Sequence, residues 1–100
     1  MRVVYGRRAQ GDIADIFDHI TQQDVSTALA VEADIRNACE GLGQFPYANA
    51  STDIAHVYRM PLPKRGYTVF YRVRAKRAVV EIVRVLRSSR VRNLRRLPTS

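Results

Sequence analysis

A chain of 100 residues, 46% hydrophobic and 26% charged, is long enough for one domain with a modest core and too apolar to stay disordered. Its formal net charge of +8 is unevenly placed: residues 1–58 hold four basic and eight acidic side chains, net −4, whereas residues 59–100 hold thirteen basic and one acidic, net +12. Such a field draws polyanions, nucleic acid or an acidic protein, without choosing between them.

A single cysteine, Cys39, excludes an internal disulfide, and nowhere do eighteen apolar residues run together as a membrane helix would need. The N-terminus "MRVVYGRRAQGD" has no apolar core of a secretory signal, so the expected location is the cytoplasm.

In chain order, "RVVY" before Gly6 reads as a first strand over residues 2–6. From Ala9 to about Gln22, Ile13, Ile16, Phe17 and Ile20 recur at helical spacing while Asp12, Asp15, Asp18 and His19 fall elsewhere on the wheel, which predicts an amphipathic helix. The connector "TQQDVS" carries capping residues, and a second helix follows over 25–42 with Ala28, Val31, Ile35, Ala38 and Leu42 in one stripe. So short a connector makes the two an antiparallel hairpin.

"YANASTD" at 47–53 is polar and aperiodic, hence a loop; strands follow at 56–60, 67–73 and 78–86, joined by "PLPKRG" and "RAKR" as antiparallel hairpins. Alternation sets Tyr67, Val69, Tyr71 and Val73 on one face of their strand, and Val79, Glu81, Val83 and Val85 on one face of the next. One helical hairpin covers one face only, so the second side is expected to be covered in part by the tail or by another protein. A single domain over 1–100 would thus end in a basic tail, 87–100, containing Arg87, Arg90, Arg92, Arg95 and Arg96.

Most catalytic chemistries find no support. His19, His56 and Cys39 lack ligand spacing, Ser88 and Ser89 have no histidine nearby in sequence, and Asp12, Asp15 and Asp18 read as a solvated acidic helix face. No metal and no cofactor are expected. Ribonuclease chemistry needs a base, an acid and cations. Arg59, Lys64, Arg65, Arg84 and Arg87 lie at strand ends as candidate cations, but no proton-transfer group accompanies them. Gripping a nucleic acid needs only cations and stacking rings. Tyr67, Phe70 and Tyr71 alternate with arginines, a pattern more often found filling a core, and Arg72 and Glu81 read as cross-strand partners.

The stretches "RMPLPKRGYTVFYRV" and "VVEIVRVLRSSR", with "LGQFP" closing the helical hairpin, resemble the ParE branch of the RelE/ParE toxin superfamily. The resemblance implies an α+β fold, β-α-α-β-β-β, with the hairpin packed on a twisted antiparallel sheet. It implies a type II toxin that traps the cleaved complex of DNA gyrase and is blocked by a cognate ParD-like antitoxin, in a hetero-oligomer. The alternative within the superfamily is a RelE-like, ribosome-dependent messenger RNA endoribonuclease. RelE-like ribonucleases carry a basic residue after the tyrosine of the "GY" strand and an aromatic acid/base in the tail, where this chain has Thr68 and Leu94. After "RVL" it has Arg87, where ParE-like chains commonly have histidine. The expected surface for target or antitoxin is Arg59, Arg84, Arg87, Arg90, Arg92, Tyr67 and Tyr71, with no catalytic residue.

Overall fold

The structure, a computed structural model, describes residues 1–92, Arg92 without its side chain. Leu94, Arg95 and Arg96 of the predicted tail lie outside the described residues. The elements are strand β1 (Arg2–Tyr5), helices α1 (Arg7–Thr21) and α2 (Val25–Gly41), strands β2 (Ala50–Ser51), β3 (Val57–Leu62), β4 (Tyr67–Arg74) and β5 (Val79–Arg87), and a short helix α3 (Ser88–Arg92). A 3₁₀ turn, Ala75–Arg77, joins β4 to β5.

Helix α1 begins two residues before its expected start, because Gly6 leaves the strand as an extended N-cap and Ala9 already belongs to the buried stripe. Its first turn holds Arg7 and Arg8, which oppose the helix dipole and hide the start from sequence rules. The start of α2 is conventional: the Asp24 carboxylate accepts from Ser26 N–H at 3.0 Å and from the Thr27 hydroxyl at 2.6 Å. These bonds, Thr27's first, hold Asp24 below the usual carboxylate range.

The sheet order is β1-β5-β4-β3-β2, all antiparallel except β1, which pairs in parallel with β5 from Arg2↔Val79 to Tyr5↔Ile82. The sheet is therefore mixed. No local pattern reveals the direction of a strand whose partner lies more than seventy residues on. The two-residue β2, too short to show a period, adds Ala50↔Arg59 and Ser51↔Tyr58 at the far edge.

The register of β4 and β5 shifts between Phe70 and Tyr71, leaving Val83 without an opposite residue. Strict alternation put Val83 and Val85 with Val79 and Glu81. The bulge instead sends Val85 to join Val80 and Ile82 beneath the helices, against Ala9, Ile13, Val31, Ile35 and Cys39. Burying each such Val or Ile contributes about 1.5–3 kcal/mol. On the second face Val57, Phe70 and Leu86 form a smaller cluster, closed by Ile54 and by Val91 of α3. Part of the tail thus covers the second side, as the pattern of the strands required.

Tyr71 is fully buried, donates its hydroxyl proton to the Pro46 carbonyl at 2.9 Å and accepts from Asn49 Nδ2 at 3.2 Å. Burial raises its pKa above the usual phenol range. Tyr71→Phe removes both bonds and leaves the loop groups to find other partners, so it should lower unfolding free energy by about 1–3 kcal/mol in urea denaturation.

Cys39, also fully buried, has its thiol pushed up to about 12, first by desolvation and then by the nearby charge of Glu40. Above an ordinary thiol pKa of about 8.5 the unfolded chain releases this proton while the folded chain keeps it, so stability falls as pH rises from there toward 12. Tyr5, raised chiefly by burial, acts in the same sense. The urea midpoint should drop between about pH 8 and about pH 10.5, and Cys39→Ala should flatten that slope.

Candidate target-binding surface

Beyond Ile82 the outer side of β5 has lost its neighbour, because β1 ends at Tyr5. Asp12 of α1 takes the vacated place: its Oδ2 accepts the Val85 N–H at 2.9 Å. The same carboxylate is gripped by both prongs of Arg84, Nε to Oδ2 at 2.8 Å and Nη2 to Oδ1 at 3.0 Å. The two side chains are 6% and 14% exposed, so this is a nearly buried, bidentate ion pair. Asp12's hydrogen bonds raise the pKa of Arg84 further. Arg84 Nη1 is buried with no partner among the described residues.

Two expectations are corrected here. Asp12 is not a solvated acid of the helix surface, and Arg84 is not on the surface offered to a partner. Arg84 positions β5 against α1, and Arg87 and Arg90 follow directly from the strand it holds. Tyr67 and Tyr71, expected at the binding surface, are also in the core, 6% and 0% exposed. A half-buried, all-apolar face attracts them under the helices more strongly than solvent does.

Three of the other predicted residues, Arg59, Arg87 and Arg90, are accessible. Arg59 is exposed on β3 directly opposite Phe70, and so stands on the sheet face that α3 covers. Arg87 ends β5 opposite Tyr67, and Arg90 follows on α3; both are exposed. Neither makes an ion pair among the described residues. The side chain of Arg92 lies outside the described residues. Of the candidate cations, Arg65 is taken by Asp34 at 2.7 Å. Glu81 stands directly opposite Arg72 across the strands, as expected, but its ion pair is with Arg74 at 2.9 Å.

Arg87 and Arg90 wall a cleft of about 230 Å³ whose opposite side is α1, with Asp15 and His19, and whose floor includes Tyr67. His19, read from sequence as a plain solvent-facing residue, is exposed but shares this cleft with the two arginines. Helix spacing alone could not bring it there. Thr68, by contrast, is 5% exposed and its hydroxyl lies 2.9 Å from that of Ser88. Among the described residues no group of three or more His, Cys, Asp or Glu side chains is placed to hold a metal ion. No described helix is long and apolar enough to cross a membrane.

A helical hairpin laid on one face of a mixed sheet is a fold shared with solved ParE and RelE structures. A chain of a chromosomal ParDE toxin–antitoxin system from P. aeruginosa superposes with a TM-score of 0.75 at 24% identity, over 87% of this chain and 95% of that one. The intact RelBE toxin–antitoxin complex of E. coli gives a TM-score of 0.64 at 19% identity, over 86% and 94%. The isolated RelE toxin of E. coli gives 0.63 at 19%, over 92% and 96%. No curated protein matches the sequence. The model of the ParE toxin of the type II toxin–antitoxin system parDE matches residues 3–92, and the chain belongs to that family.

Proposed function

We propose that this toxin acts by binding: it holds DNA gyrase at the cleaved-DNA stage in the cytoplasm, and a ParD-like antitoxin neutralises it in a hetero-oligomer. The observation that carries the reading is Thr68. Where RelE-like ribonucleases carry a cation next to the "GY" tyrosine, this chain has a neutral side chain, buried and hydrogen-bonded to Ser88. Cations that act on a phosphate must be exposed to it, and those available here, Arg59, Arg87 and Arg90, suit the gripping of carboxylate or phosphate. The same arginines attract an acidic antitoxin segment that folds on the toxin surface.

One observation favours the second reading, a ribosome-dependent ribonuclease. His19 faces Arg87 and Arg90 across one cleft, an imidazole and two cations in the kind of set that phosphodiester cleavage uses. Pulse labelling of DNA and protein synthesis after induction separates the two. With a gyrase poison DNA synthesis falls first, and His19→Ala leaves that order unchanged. An immediate arrest of protein synthesis, lost in His19→Ala, overturns the gyrase reading in favour of the nuclease.

A further inference from the structure

At the opposite end of the sheet from Arg87, where Arg74 pairs with Val79, the β4–β5 turn forms a second cleft of about 510 Å³. Arg72, Arg74, Lys76 and Arg77 line it with His56 and Tyr47, and no acidic side chain does. Arg74 is neutralised by Glu81, but Arg72, Lys76 and Arg77 make no ion pair among the described residues. Arg2, whose N–H binds the Ala78 carbonyl at 3.0 Å, adds a further exposed cation at this end. Arg72 has Glu81 opposite it in the sheet, but the cations of the turn outnumber that one acid, and like charges around one concavity repel each other until an anion enters.

The rim adds a ring to the charges. Tyr47 is 56% exposed, and it is held by an edge-on contact with Tyr58, centroids 5.7 Å apart at 70°. Tyr58 in turn stacks on the buried Tyr71 at 5.5 Å and 21°. The ladder braces an exposed aromatic ring from the core outward. Cations alone accept any polyanion, but a braced exposed ring beside them adds a stacking face that a base uses and a carboxylate does not.

We propose that this cleft binds single-stranded nucleic acid, with phosphates on Arg72, Lys76 and Arg77 and a base stacked on Tyr47. The site is separate from the Arg87 cleft and does not depend on what the toxin's target is.

The test is fluorescence anisotropy of the full chain with a labelled thymidine oligonucleotide and with an abasic strand of equal length, across a salt series. Lys76→Ala/Arg77→Ala should reduce the slope of log affinity against log salt by about 1.4, from roughly 0.7 per single-strand phosphate contact. Tyr47→Leu should weaken binding of the thymidine strand about 5- to 150-fold and leave the abasic strand unaffected. Arg7→Ala/Lys64→Ala removes the same charge from exposed positions outside the cleft, and should change the slope less. The proposal is overturned if that control has an equal effect, if Tyr47→Leu does not separate the two strands, or if polyglutamate displaces the oligonucleotide charge for charge.

Discussion

Arg84→Ala is expected to lower the unfolding free energy by about 3–5 kcal/mol, a large share of the roughly 5–15 kcal/mol that holds a domain folded. The substitution leaves the Asp12 carboxylate, 14% exposed, with the Val85 N–H as its remaining partner. Asp12→Ala should cost at least as much. It strands a guanidinium that is 6% exposed and already has one unpartnered nitrogen, and it uncovers the edge of β5. A double variant, Asp12→Ala with Arg84→Met, should recover much of the loss, because an apolar side chain of similar length fills the space without a charge to desolvate. Urea titrations of the four proteins, compared at constant m-value, measure the coupling. If the single variants lose under 1 kcal/mol, the pair is not the clamp that seats β5 on α1. Loss of toxicity in an Arg84 variant therefore reports unfolding before it reports a lost contact.

Arg87→Ala/Arg90→Ala is expected to have the opposite profile. Both side chains are exposed and make no ion pair among the described residues, so stability should stay within about 0.5 kcal/mol of the parent. If each arginine contacts a carboxylate or phosphate, affinity for the target should fall by about 2–4 kcal/mol, roughly 30- to 1,000-fold. Urea denaturation reads the first effect, calorimetry with gyrase reads the second, and growth arrest after induction without antitoxin reads the loss of toxicity that follows from it. Full toxicity in the double variant places the working surface elsewhere.

The parts of this fold that were legible in the sequence are those carried by local periodicity. Of the stripe Ala28, Val31, Ile35, Ala38 and Leu42 all but Ala38 are buried, the strand expected at 67–73 lies within β4, and the one expected at 78–86 is β5 shifted by one residue. What could not be read depends on distant or irregular geometry. The Asp12–Arg84 pair spans 72 positions, so nothing near either residue marks it. The bulge at Val83 turns the face of every residue after it, and no turn residue announces it. Tyr67 and Tyr71 carry chemistry that suits a surface, yet their alternation with Val69 and Val73 was the stronger signal and put them in the core. Arg87 and Arg90 were legible as exposed cations because the strand pattern stops before them. Their neighbour His19 was not, since only the packing of α1 beside β5 brings it into the cleft.

The most direct measurement incubates the purified chain with gyrase, ATP and supercoiled plasmid, then adds detergent and protease and resolves the DNA on a gel. Binding to the cleaved complex predicts linear plasmid that increases with the amount of toxin and is lost with Arg87→Ala/Arg90→Ala. Plasmid that stays intact at every dose, while the same preparation cuts messenger RNA on translating ribosomes, would contradict the account.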